Sequence, residues 1–155
     1  MTNLDDISFH GRNGQPYKEL AYLIAMVYNI VNHKLEVLLR KHGISLPKFN
    51  ILMILKRHGG EQGMSQKAIS DGLIISDGNI TGILDRMEKE NLLMRVQHPK
   101  DRRVNLVRIT PKGSQLLVEV MPKYEKILET DVGKITSVQQ KTIMPIFYKW
   151  AKQLT

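Results

Sequence analysis

Residues 76–113, SDGNITGILDRMEKENLLMRVQHPKDRRVNLVRITPKG, hold a helical period, a helix stop, a pair of β-prone runs and a new helix start in unbroken succession. From Ser76 the apolar residues Ile80, Ile83, Leu84 and Met87 fall three and four apart, the spacing of a helix buried along one side. Asn91 follows, a residue that tolerates the left-handed conformation often needed at a helix end. Leu93 to Gln97 and Val104 to Ile109 then read as two strands of a hairpin around His98-Pro99-Lys100-Asp101. Thr110 before Pro111 opens another helix.

Upstream of this stretch, Ser65 is placed to cap a short helix ending near Leu73, with Met64 and Ile69 at the positions of a hydrophobic staple. Two short helices joined by a tight turn make a helix-turn-helix. Ser45 and Pro47 start another helix, whose Phe49, Leu52 and Leu55 face the core before Gly59 and Gly60. From Tyr17 to about Lys41, Leu20, Ile24, Val27, Val31, Leu35 and Leu38 mark a long amphipathic helix, and Leu23, Ile30 and Val37 widen its apolar face beyond the needs of one neighbour. Past Thr110, Leu117, Val120, Tyr124 and Leu128 form one stripe, with Pro122 expected to kink its helix. Thr136 and Gln139 have capping-box spacing ahead of a last helix with the stripe Ile143, Phe147, Trp150 and Leu154, which Pro145 is expected to bend or delay.

The expected fold is therefore mainly α with a small β-hairpin wing: a winged helix-turn-helix flanked by N- and C-terminal dimerisation helices. At 155 residues the chain suits a single domain, 1–155. Within it, about 45–110 form the winged lobe, about 17–42 and 111–154 the dimerisation helices, and 1–16 a polar tail with no apolar core of a secretion signal. Purely apolar runs such as Ile51 to Leu55 are far short of the ~20 residues that span a bilayer. A cytoplasmic location without a membrane partner is expected. The absence of cysteine excludes disulfides, thiolate metal sites and thiol redox sensing.

The formal charge of +8 favours a polyanionic partner, and its distribution says more than its size. A rotation of about 100° per residue sets Gly78, Gly82 and Asp85 opposite the buried stripe of the 76–90 helix, with Asn79, Thr81 and Arg86 on the shoulders. Two glycines inside a helix cost on the order of 1 kcal/mol each relative to alanine. Close approach of the helix backbone to duplex DNA gives them a purpose, and a solvated face with tolerated glycines is the alternative. Asn79 can pair with adenine, and Thr81 can hydrogen-bond a base edge or touch a thymine methyl. From Arg95 to Gly113 six cations, Arg95, Lys100, Arg102, Arg103, Arg108 and Lys112, face the single acid Asp101. Such a cluster suits an arm laid along a phosphate backbone, with Asp101 organising the turn.

These residues resemble the MarR family of multiple-antibiotic-resistance-type regulators. Ser76 to Arg95 looks like that family's recognition helix running into its wing, and Asp101-Arg102-Arg103 followed by Ile109-Thr110-Pro111-Lys112-Gly113 resembles its D-x-R wing signature and the L-T-x-x-G after it. The resemblance implies a homodimer binding pseudo-palindromic double-stranded DNA, commonly as a repressor released by a small-molecule effector; no cofactor is expected. It places Ser76, Asp77, Gly78, Asn79, Thr81, Gly82, Asp85 and Arg86 on the major-groove helix and Lys100, Asp101, Arg102 and Arg103 on the wing. Arg103 matches the arginine that enters the minor groove, and Asp101 the aspartate that positions it. Ile74 and Asn91 depart from the small residue and the glycine usual at the two ends of that helix.

Two rival readings share the fold or the charge. A metal-responsive regulator would use His33, Glu36 and His42 on the first helix, although Glu36 and His42 are off the i, i+4 spacing that shares a face. A non-specific nucleic-acid-binding protein would need only the charge. An enzyme is not expected, because the histidines are scattered and no HExxH, nucleophile elbow or phosphate-binding glycine loop is present.

Overall fold

The computed structural model describes residues 15–73, 77–99 and 104–154, and of Asp77 the backbone alone. Ser76, Ile74, the wing-tip residues Lys100, Asp101, Arg102 and Arg103, and the tail at 1–14 lie outside the described residues. The elements run α1 (Pro16–Lys41), α2 (Leu46–His58), β1 (Met64–Ser65), α3 (Gln66–Leu73), α4 (Asp77–Lys89), β2 (Leu93–Gln97), β3 (Asn105–Ile109), α5 (Pro111–Asp131), a 3-10 turn (Val132–Lys134) and α6 (Ser137–Leu154).

Helix ends account for most of these boundaries. Asn91 adopts φ +57, and the Asn91 and Leu92 amides return to the Glu88 and Met87 carbonyls, the paired bonds of a Schellman stop. Asparagine does here what glycine does elsewhere. Gly43, at φ +68, closes α1 the same way. The Ser65 hydroxyl accepts from the Ala68 amide to cap α3, and the Thr136 and Gln139 side chains each accept the other's backbone amide, a complete capping box. Ser45 differs from expectation: its backbone is extended, but its hydroxyl makes no cap bond to α2. Pro122 and Pro145 sit inside helices that continue through them, and α6 starts at its capping box without delay. Both prolines and the residues four before them, Val118 and Lys141, are exposed, so the carbonyls that lose a partner can turn to water.

One strand was not anticipated. Met64 and Ser65 pair with Val107 and Leu106, so the hairpin β2–β3 gains a third strand and the sheet order is β1-β3-β2. A two-residue strand has no readable period of its own; its partner lies more than forty residues on. Gly63 enters it at φ +87, where a Cβ would stand 2.5 Å from the Val107 carbonyl oxygen. This pairing anchors the wing root beside the start of α3.

The core lies between α2, α3, α4, the hairpin and the first half of α5. Phe49, Ile51, Leu52, Ile69, Ile80, Leu84 and Met87 are fully buried together with Leu93, Val107 and Val120. No residue of α6 is buried, and Tyr17, Leu20, Leu23, Val27, Tyr28 and Ile30 of α1 remain exposed. Among the described residues no helix is long and apolar enough to cross a membrane.

Candidate nucleic-acid interface

Burying Ile80, Leu84 and Met87 turns the opposite side of α4 outward. Gly78, Asn79, Thr81, Asp85 and Arg86 are exposed and Gly82 is half-buried. A Cβ added at Gly78 would meet nothing within 4 Å, and one at Gly82 would meet only the Arg86 guanidinium at 3.6 Å. Nothing within the described residues requires either glycine. The helix thus presents a low surface flanked by an amide, a hydroxyl and a guanidinium.

Hydrogen bonds orient this surface. Gln66, the first residue of α3, donates through Nε2 to Thr81 Oγ1 at 2.7 Å and ties the two helices of the motif together on their outer side. Arg95 of β2 reaches back to α4, with Nη2 2.6 Å from Asp85 Oδ1 and Nη1 on Glu88 Oε2, while its backbone amide donates to Glu88 Oε1. Partial burial disfavours the Arg95 charge, but the bonds to Asp85 and Glu88 outweigh it and leave the guanidinium more basic than usual. The hairpin and the helix are therefore one unit, held by a charge-assisted clamp.

Three of the six cations of the hairpin region thus have internal duties. Besides Arg95, Arg108 Nε donates to the Gln62 carbonyl and Lys112 Nζ to the Glu90 carbonyl. Charge counting had grouped them with phosphate-facing residues, because sequence does not show which cations meet acceptors of their own fold. Lys100, Arg102 and Arg103 lie outside the described residues. The T-x-x-G that follows the hairpin also has a geometric reason. Thr110 Oγ1 donates to the Asn91 carbonyl at 2.7 Å and accepts from the Gly113 amide, and a Cβ on Gly113 would stand 2.2 Å from the Leu92 carbonyl oxygen. Only glycine lets α5 start this close to the end of α4.

Among the described residues no cluster of three metal-ligating side chains occurs, and two of the three residues weighed for a metal make other contacts. Glu36 accepts from Asn32, while His42 Nδ1 lies 3.0 Å from Glu119 and its Nε2 3.2 Å from Lys123 Nζ. Gln66 and Lys48, a second residue that bears on α4, escaped the sequence reading. The sole signal for Gln66 was its place directly after the cap Ser65.

The fold has counterparts among known proteins. The sequence model of the MarR family matches residues 44–104, from the turn before α2 to the residue before β3. The HTH-type transcriptional regulator MhqR of Bacillus subtilis is 33% identical over 106 residues, covering 68% of this chain and 71% of its own length. The chain belongs to the MarR family. Another relative, the HTH-type transcriptional repressor IacR of Pseudomonas putida, is 30% identical over 118 residues, 76% of this chain and 69% of its own. The S. aureus MepR–DNA complex superposes with a TM-score of 0.78 at 19% identity, over 86% of this chain and 96% of that one. This MarR-family protein is a DNA-binding transcriptional regulator of winged helix-turn-helix fold.

Proposed function

We propose that the chain is a homodimeric repressor that reads a pseudo-palindromic operator with α4 in the major groove and the wing in the adjoining minor groove. The observation that carries this is the outward face of α4: Asn79, Thr81 and Arg86 stand around two glycines whose side-chain space is open, beside a hairpin clamped to the helix by Arg95. Asn79 and Thr81, near the helix start, supply base readout; Arg86, Lys100, Arg102 and Arg103 supply backbone and minor-groove contacts, with Asp101 organising the tip. Ser76, Asp77, Gly78, Gly82 and Asp85 shape the approach. The exposed apolar faces of α1 and α6, with Phe147 packed edge-on against Trp150 at 5.9 Å, support pairing of two copies through these helices. The whole chain then works as one domain, by binding and without catalysis, in the cytoplasm with the chromosome.

Release by a small organic effector belongs to the same proposal. Where α1 turns into α2, a cleft of about 580 Å³ lined by Glu36, Arg40, Ile44, Leu46 and Lys48 has the size of a small-molecule site. Selection of bound sequences from a random duplex library at fixed salt tests the central claim. A consensus of two inverted half-sites about ten base pairs apart is expected. Enrichment without symmetry, or none above random DNA, would instead favour a non-specific nucleic-acid-binding protein.

A further inference from the structure

Glu90 follows the last residue of α4, where the helix macrodipole disfavours a negative side chain. It is held by a cation from a distant element: Lys48 Nζ lies 2.5 and 2.7 Å from the two Glu90 carboxylate oxygens, across 42 residues of chain. The Lys48 side chain is only 15% exposed. Its ammonium is thus turned onto Glu90 and not out to solvent. From the other side Lys112 Nζ donates to the Glu90 carbonyl, and the Thr110 hydroxyl to the next carbonyl, Asn91. The end of α4 is therefore gripped by the first turn of α2 and the first turn of α5. Those turns lead directly into the helices carrying the exposed apolar faces, α1 through Gly43 and α6 through α5.

We propose that Lys48 is a positioning residue for α4. Its bond to Glu90 fixes the reach and angle of the recognition helix relative to the dimerisation helices, and so sets the half-site spacing without touching DNA. This rests on the reading of α4 as the groove-entering helix of a dimer. A pair of net zero charge adds little to phosphate attraction, whereas a pin at the end of a rigid helix governs where its start arrives.

The test uses the full chain with Lys48→Met, Glu90→Gln, and the reversed pair Lys48→Glu with Glu90→Lys. Each is titrated at several salt concentrations on the duplex selected by the unmodified protein and on duplexes with the half-sites one base pair closer or farther apart. Each single variant is expected to bind the selected duplex about fivefold more weakly, to lose its spacing preference, and to keep the salt slope unchanged. The reversed pair restores spacing preference. A salt slope lower by about one unit in Lys48→Met would assign Lys48 to a phosphate and overturn the proposal. So would affinity loss with spacing preference intact, the mark of a merely destabilised fold, or single variants that bind like the parent. Asn79→Ala runs alongside as a check on the underlying reading. If the parent protein does not prefer its selected duplex, or Asn79→Ala leaves that preference untouched, the groove-docking reading fails independently of Lys48.

Discussion

Arg95 Nη2 lies 2.6 Å from Asp85 Oδ1, joining β2, the first strand of the hairpin, to the outer face of α4. An acid on the face proposed to meet DNA is unfavourable by itself, and the pairing offsets that conflict. Arg95→Ala leaves Asp85 and Glu88 without their cation near the phosphates. Operator binding is expected to weaken at least tenfold, about 1.4 kcal/mol, and the double variant with Asp85→Ala to recover part of the loss. Titration of a labelled duplex distinguishes this from a direct phosphate contact, for which the second substitution would bring no recovery specific to Arg95→Ala.

Gly78→Ala and Gly82→Ala separate folding from function. Because a Cβ has room at both positions, each substitution is expected to raise stability by up to about 1 kcal/mol while weakening operator binding. Thermal melts and titrations on the same samples read the two effects. Unchanged affinity in both variants would return the glycines to tolerated surface.

The junction between α4 and α5 depends on Thr110, which is 4% exposed. Thr110→Val removes the bond to Asn91 and the cap on Gly113 together, for an expected cost of about 1 to 3 kcal/mol. Gly113→Ala should be worse, since its Cβ meets a backbone oxygen at 2.2 Å that has no rotamer to retreat into. Chemical denaturation ranks the two, and the opposite order would contradict the packing described for this corner.

At the wing tip, Arg103→Ala is expected to weaken operator binding at least tenfold and to lower the salt slope by about one unit. Asp101→Ala should weaken binding as well, although it removes a negative charge. Tighter binding by Asp101→Ala, together with equal losses for Arg103→Ala and Lys100→Ala, would reduce the wing to diffuse charge.

Tyr124 packs its ring 5.0 Å from that of Phe49, and burial raises its phenol pKa above the ordinary value. The folded state therefore holds this proton more tightly than the unfolded chain. Its contribution is complete below the unfolded pKa of about 10 and is lost as pH rises through that value towards the folded one. Tyr124→Phe should accordingly flatten the alkaline fall in stability while leaving melts near neutral pH within about 1.5 kcal/mol of the parent. An identical alkaline profile in the variant would place the sensitivity elsewhere.

Much of this architecture is local and so was legible in the amino-acid order. The Asn91 stop, the Ser65 cap, the Thr136–Gln139 box and the spacing of Ile80, Leu84 and Met87 all act within about five residues, where chain geometry leaves little choice. The outward placement of Asn79, Thr81 and Arg86 follows from the same helical period. What only the tertiary structure decided spans long separations: Met64 against Val107, Lys48 on Glu90, Gln66 on Thr81, and the turning of Arg95, Arg108 and Lys112 inward to acceptors of their own fold. A lysine or arginine carries the same charge whether it faces a phosphate or a carbonyl. Which of the two it meets depends on how distant helices pack, and that packing is carried by shape and burial over the whole chain, not by any local period.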